Sequence, residues 1–128
     1  MTKILIVDDE FDIVDVLRDL LQLEGYEVVT AANGREGLVQ LRETSADLVL
    51  LDCMMPIVDG PEMLRLVRED ERLRDVPVIM MSAAEMRQET RVLGSSAFLK
   101  KPFDLNTLLA TIARLVSDGQ DRKNPSSS

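Results

Sequence analysis

The sequence contains no histidine, which removes histidine-based catalysis, histidine metal ligation and histidine phosphorylation of this chain. Its only cysteine, Cys53, has no partner for an internal disulfide. Cations are in the minority, with 15 Lys and Arg against 23 Asp and Glu, and the net charge of -8 argues against binding to a nucleic-acid backbone, which needs clustered Lys and Arg. There is no leading apolar run with a charged flank and cleavage site, and no apolar stretch of transmembrane length. A glycine-rich phosphate loop of the GxxxxGK type is also missing, so the sequence carries no nucleotide site of that kind. The expectation is a cytoplasmic protein that neither contacts nucleic acid directly nor enters a membrane.

What the sequence does have is an alternation of two periods. Its 128 residues suit one domain, with 45% hydrophobic residues for a core and 30% charged residues to cover it. Short branched-apolar runs at Ile4 to Val7, Val28 to Ala31, Leu48 to Leu51, Val76 to Met81 and Ala97 to Leu99 read as strands, and amphipathic helical segments lie between them. The first helical segment has Val14, Leu17 and Leu21 on one face and Gly25 as its stop. The last has Leu105, Leu108, Ile112 and Leu115, with Asp104 as N-cap. Runs that are apolar at consecutive positions suit strands covered on both faces, so the pattern predicts a doubly wound α/β fold with a parallel sheet between helix layers. The domain is expected to span residues 1–117, and the polar segment 118–128 to be a disordered tail or linker stub.

In open parallel sheets, ligands bind beyond the carboxyl ends of the strands. Here the strands end in Asp8 and Asp9, in Asp52, in Ser82 and in Lys100, Lys101 and Pro102. Carboxylates converging at one edge raise one another's pKa and call for a cation, and oxygen ligands with open positions suit Mg²⁺. A carboxylate can also attack phosphorus to form an aspartyl-phosphate when cations neutralise the transferring oxygens. Asp52, on the middle strand, is the expected acceptor. Mg²⁺ bridging Asp9, Asp52 and the phosphoryl group, together with the Lys101 ammonium, would supply the positive charge, and Ser82 could donate its hydroxyl.

The constellation VDDE, LLDCMMPIVDG, MMSA and FLKKPF resembles the receiver domain of two-component response regulators over roughly residues 3 to 117, in the family's order. The resemblance implies a CheY-like, flavodoxin-like fold with five parallel strands in the order 2-1-3-4-5 and helices on both faces. It further implies that Asp52 is phosphorylated by a sensor histidine kinase or phosphotransfer protein, and that the domain then switches to regulate an unidentified downstream protein. Asp9, Asp52 and the Met54 backbone carbonyl would bind Mg²⁺ directly, and Asp8 through water. Lys101 would contact the phosphoryl group, with Lys100 as its exposed neighbour. Ser82 would reorient toward the phosphate and Phe98 would follow it inward. A cis bond between Lys101 and Pro102 also belongs to the family pattern.

Two departures from that pattern stand out. Between Ser82 and Gly94 the chain is about one helical turn short, roughly 3.6 residues, in the family's fourth helix or the loop leading to it. That segment, Ala83 to Leu93, is therefore expected to be mobile and to carry the output. Met54 and Ala84, two residues after Asp52 and Ser82, cannot activate water, so unaided dephosphorylation is expected to be slow. A metal-dependent phosphohydrolase would want an acid at Met54, and a docking module that is never phosphorylated would not need this full set of residues. Singly, each residue has a plainer reading. Asp9 caps a helix, Ser82 is a turn hydroxyl, Lys101 a solvated charge, Phe98 a core aromatic, Cys53 a small buried group, Met54 and Met55 fill space, and Glu10 solvates the surface.

Overall fold

Five parallel strands form one sheet in the order β2-β1-β3-β4-β5. The computed structural model describes residues 1–83 and 94–123, with side chains as far as 118. Along the chain run β1 (Lys3–Val7), α1 (Phe11–Leu23), β2 (Glu27–Ala31), α2 (Gly34–Thr44), β3 (Leu48–Asp52), α3 (Gly60–Glu69), β4 (Val78–Ser82), β5 (Ala97–Lys100) and α4 (Leu105–Lys123), the fourth described helix. This is the doubly wound arrangement expected from the alternating pattern, with the central strand β3 between β1 and β4.

Alternate side chains of each strand enter opposite layers, as a pleated strand dictates. Leu5, Val7, Val49, Leu51, Val78 and Met80 pack with Leu38, Leu41, Met63, Leu64 and Val67 of α2 and α3. Ile4, Ile6, Leu48, Leu50, Ile79 and Met81 pack with Val14, Leu17 and Leu21 of α1 and with Leu108, Ile112 and Leu115 of α4. The central strands are therefore apolar at consecutive positions, 4–7, 48–51 and 78–81, because both faces are covered. Burying each such side chain stabilises the fold by roughly 1.5–3 kcal/mol.

Local signals set the helix boundaries. Asn33 caps α2 by accepting the Glu36 N–H at 2.9 Å, Asp59 caps α3 by accepting the Glu62 N–H at 3.0 Å, and the Asp104 carboxylate accepts the Asn106 N–H at 2.9 Å at the start of α4. After α1, Gly25 takes φ +92, a left-handed conformation that glycine adopts without a Cβ penalty.

Two boundaries differ from the sequence expectation by more than one residue. β4 begins at Val78 instead of Val76, because Pro77 has no N–H to give a ladder. α4 continues from Asp118 to Lys123, where the polar composition predicts a tail. Once a helix is anchored by packed turns, each further residue adds a backbone hydrogen bond at little cost, and a polar sequence satisfies the solvated face. The segment expected to be mobile lies, apart from Ala83, outside the described residues, as does Ala84. Among the described residues no helix is long and apolar enough to cross a membrane.

Candidate functional site

The parallel register brings every strand's carboxyl end to one edge. Val7 pairs with Leu51, Asp52 with Met81 and Ser82 with Lys100, so the residues after β1, β3, β4 and β5 meet there. Backbone bonds tie the emerging loops together. The Asp8 N–H donates to the Ala31 carbonyl at 3.1 Å, the Cys53 N–H to Met81 at 2.9 Å and the Gly60 N–H to Cys53 at 3.0 Å. The Lys101–Pro102 bond is cis, as the family pattern implied.

The side chains converge around one ammonium. Lys101 Nζ lies 3.0 Å from Asp8 Oδ2, 3.3 Å from Asp52 Oδ1 and 3.3 Å from Glu10 Oε1. The other oxygen of Asp8 accepts the Glu10 N–H at 2.9 Å. Asp8 and Asp52 are buried, at 1% and 5% exposure, whereas the Glu10 side chain is 57% exposed. Carboxylate oxygens of Asp8, Glu10 and Asp52 all lie within 4.8 Å of one another.

These surroundings perturb the titrating groups. The Asp52 carboxyl is pushed up to about 6, mainly by burial and then by the Asp8 charge, with a smaller push from Asp9, while the charge and hydrogen bond of Lys101 oppose the rise. Burial pulls Lys101 down, yet the hydrogen bond and charge of Asp8, the charge of Asp52 and the hydrogen bond to Glu10 outweigh it and hold the ammonium above its ordinary value. Cys53, buried directly after β3, is pushed up to about 11 by burial and by the Asp52 charge, against a hydrogen bond with Ser82. A buried carboxylate whose neighbours raise its pKa is one that a further cation would stabilise, and the hard oxygen donors gathered here fit a divalent ion such as Mg²⁺.

The structure thus brings together Asp8, Asp52 and Lys101 among the residues singled out in the sequence. Asp9 is exposed and stands outside the group of close oxygens; it does not cap α1 either, whose N-cap is Glu10. Ser82 is buried at the end of β4, and Phe98 is half-buried, paired with Met80 and packed against the α2 and α3 layer. Met55 packs against that layer too, but Met54, expected to fill space, is 74% exposed. Glu10 is the participant that the sequence reading assigned to the solvated surface. Its signal was a third acid directly after the pair, at the edge where Lys101 arrives.

A cavity of about 1050 Å³, lined by Met1, Leu41, Arg42, Asp70 and Arg72 among others, opens at the amino edge of the sheet, away from these groups.

Comparison with known proteins gives one consistent picture. The family model for the response regulator receiver domain matches residues 4–113. The transcriptional regulatory protein CpxR homolog of Haemophilus influenzae is 42% identical over 120 residues, covering 91% of this chain and 51% of that protein. The chain spans about half the length of the curated relatives it matches. Among solved structures, the chemotaxis protein CheY4 of Vibrio cholerae is 36% identical with a TM-score of 0.83, covering 90% of this chain and 98% of that one. The receiver domain of sensor histidine kinase PA1611 from Pseudomonas aeruginosa, solved with a magnesium ion coordinated in the active site cleft, is 28% identical with a TM-score of 0.84, covering 91% and 98%.

Proposed function

The chain belongs to the response regulator receiver domain family of two-component systems, and from that premise we propose that Asp52 is its phosphoacceptor. The observation that carries this reading is the Asp52 carboxylate, buried at the end of the central strand with the Lys101 ammonium at 3.3 Å. A carboxylate oxygen of Asp52 attacks the phosphorus of a phosphohistidine; the phosphorus–nitrogen bond breaks and the imidazole nitrogen leaves with the electron pair. Lys101 offers N–H donors to the transferred oxygens, and Ser82, at the end of the neighbouring strand, offers its hydroxyl. Mg²⁺, when bound, supplies neutralisation of the phosphoryl charge. Asp8 and Asp52 are the buried ligands available to it, Glu10 is a third carboxylate in reach, and Asp9 and the Met54 carbonyl complete the set implied by the family.

The phosphoryl donor is a sensor histidine kinase or phosphotransfer protein. Exposed apolar residues at the carboxyl edge of the sheet, Phe11, Met54 and Ile57, offer such a protein a contact beside the acceptor. Phosphorylation then moves Ser82 and Phe98 and alters the surface presented to a downstream protein or output domain. The chain acts as a cytoplasmic switch and not as a turnover enzyme, because Met54 provides no group to activate water and dephosphorylation is correspondingly slow. The receiver domain occupies residues 1–117, and 118–128, helical to Lys123, continues it as a tail or linker stub.

The test is incubation with acetyl phosphate and Mg²⁺ followed by intact-mass and peptide mapping. A stable phosphoryl adduct on Asp52, lost in Asp52→Ala, is the expected result. Rapid release of inorganic phosphate would mark a hydrolase, and no adduct a docking module.

A further inference from the structure

The Lys101 ammonium has three N–H donors and three carboxylates around it. Two of these, Asp8 and Asp52, are the buried groups that also suit a divalent cation. The ammonium and such an ion therefore compete for the same oxygens. Where Asp8 and Asp52 turn toward a metal, Lys101 loses two contacts and is repelled by the new charge. Its long stem would then leave the site unless another anion held it.

Glu10 is built to be that anion. Asp8 fixes the Glu10 backbone through one oxygen, at 2.9 Å, while gripping Lys101 through the other, at 3.0 Å. The Glu10 carboxylate reaches the same ammonium at 3.3 Å from the solvent side. We propose that Glu10 is a positioning residue for Lys101: it retains the ammonium at the mouth of the site when Asp8 and Asp52 engage a divalent cation, and so keeps it within reach of a phosphoryl group. The inference rests on the proposed phosphoacceptor role of Asp52.

Calorimetry with Mg²⁺ alone separates this role from that of a metal ligand. If Glu10 acts through Lys101, Glu10→Gln weakens Mg²⁺ binding by about threefold to tenfold more in the parent chain than in a Lys101→Met background, where there is no ammonium to retain. Glu10→Asp, which keeps the charge but shortens the reach by a methylene, falls with Glu10→Gln. At saturating Mg²⁺ the maximal rate of adduct formation from acetyl phosphate also drops in Glu10→Gln, although removing a negative charge from the mouth would by itself favour an anionic donor. Because the Glu10 side chain is exposed, melting temperatures stay close to that of the parent chain. Equal weakening in both backgrounds, or a Glu10→Asp chain that behaves as the parent, overturns the proposal. A parent chain that forms no adduct on Asp52 overturns the phosphoacceptor reading and this inference together.

Discussion

The Lys101 N–H donates to the Ser82 carbonyl across 2.7 Å, joining the ends of β4 and β5 just beyond the Ser82 and Lys100 register pair. The Ser82 hydroxyl and the Lys101 ammonium thus stand on directly connected backbone. A shift of Ser82 toward a phosphoryl group pulls on the peptide that carries Lys101, so the two donors respond together.

The raised pKa of Asp52 predicts an unusual pH profile for the metal-free protein. A carboxyl raised from 3.8 in the unfolded chain to about 6 in the folded one favours the folded state in its protonated form. That contribution is fully present below the unfolded value and is lost as the pH rises through about 6. In chelator, this group should make the protein more stable at pH 5 than at pH 7.5 by roughly 1 kcal/mol. Urea titrations of the parent and Asp52→Asn chains provide the check: the difference between them should be smallest below the unfolded value of 3.8 and grow in favour of Asn as the pH rises through about 6. Parallel profiles at all pH values would refute the assignment.

Cys53 should be chemically silent. Its side chain is buried and its thiol is pushed up to about 11, so almost no thiolate exists at pH 8. Iodoacetamide should leave the native protein unmodified over hours and label it stoichiometrically in urea. Rapid native labelling, read by mass, would contradict the burial.

Gly60 opens α3 against the end of β3. A Cβ there would collide with the Asp52 carbonyl oxygen and lie 2.8 Å from Cys53 Cα, both backbone atoms that cannot swing away. Gly60→Ala should cost roughly 1–3 kcal/mol in urea unfolding, as overpacking does, and should slow adduct formation because the strand end itself must move. An unchanged rate beside lowered stability would show that Asp52 tolerates the shift.

Arg68 ties α3 to two later segments. Its guanidinium donates to the Gly94 carbonyl at 2.8 Å, to Arg74 at 2.8 Å and to Val76 at 2.7 Å. These carbonyls lie before β4 and before β5, so Arg68→Ala should destabilise the fold by about 2 kcal/mol. Lysine, a single point donor, should restore less than half of that. Full rescue by lysine would mean that charge and not the guanidinium fork is what matters.

The sheet was legible because consecutive apolar residues such as Val49, Leu50 and Leu51 admit one explanation, burial on both faces. Asp8, Asp52 and Lys101 were legible because each stands at the carboxyl end of a strand or one residue beyond it, and parallel strands share a carboxyl edge. Glu10 was not, since its contact with Lys101 spans 91 positions and exists only after β1 and β5 have entered the same sheet. Nor was the continuation of α4 past Ser117, because composition reports solvation while helix propagation depends on the turns before it. The exposure of Met54 escaped for a related reason: whether a loop methionine packs depends on the path of the loop, which the residue type does not encode.

Among the described residues the two apolar layers share no side chain, with Leu5, Val49 and Met80 on one side and Ile4, Leu50 and Met81 on the other. Repacking beneath α2 and α3 meets repacking beneath α1 and α4 only through the strand backbones. Substitutions in opposite layers should therefore combine almost independently. Evolution can then solve the two halves of the interior as separate problems, letting one flank of the protein drift toward a new partner while the other keeps its shape.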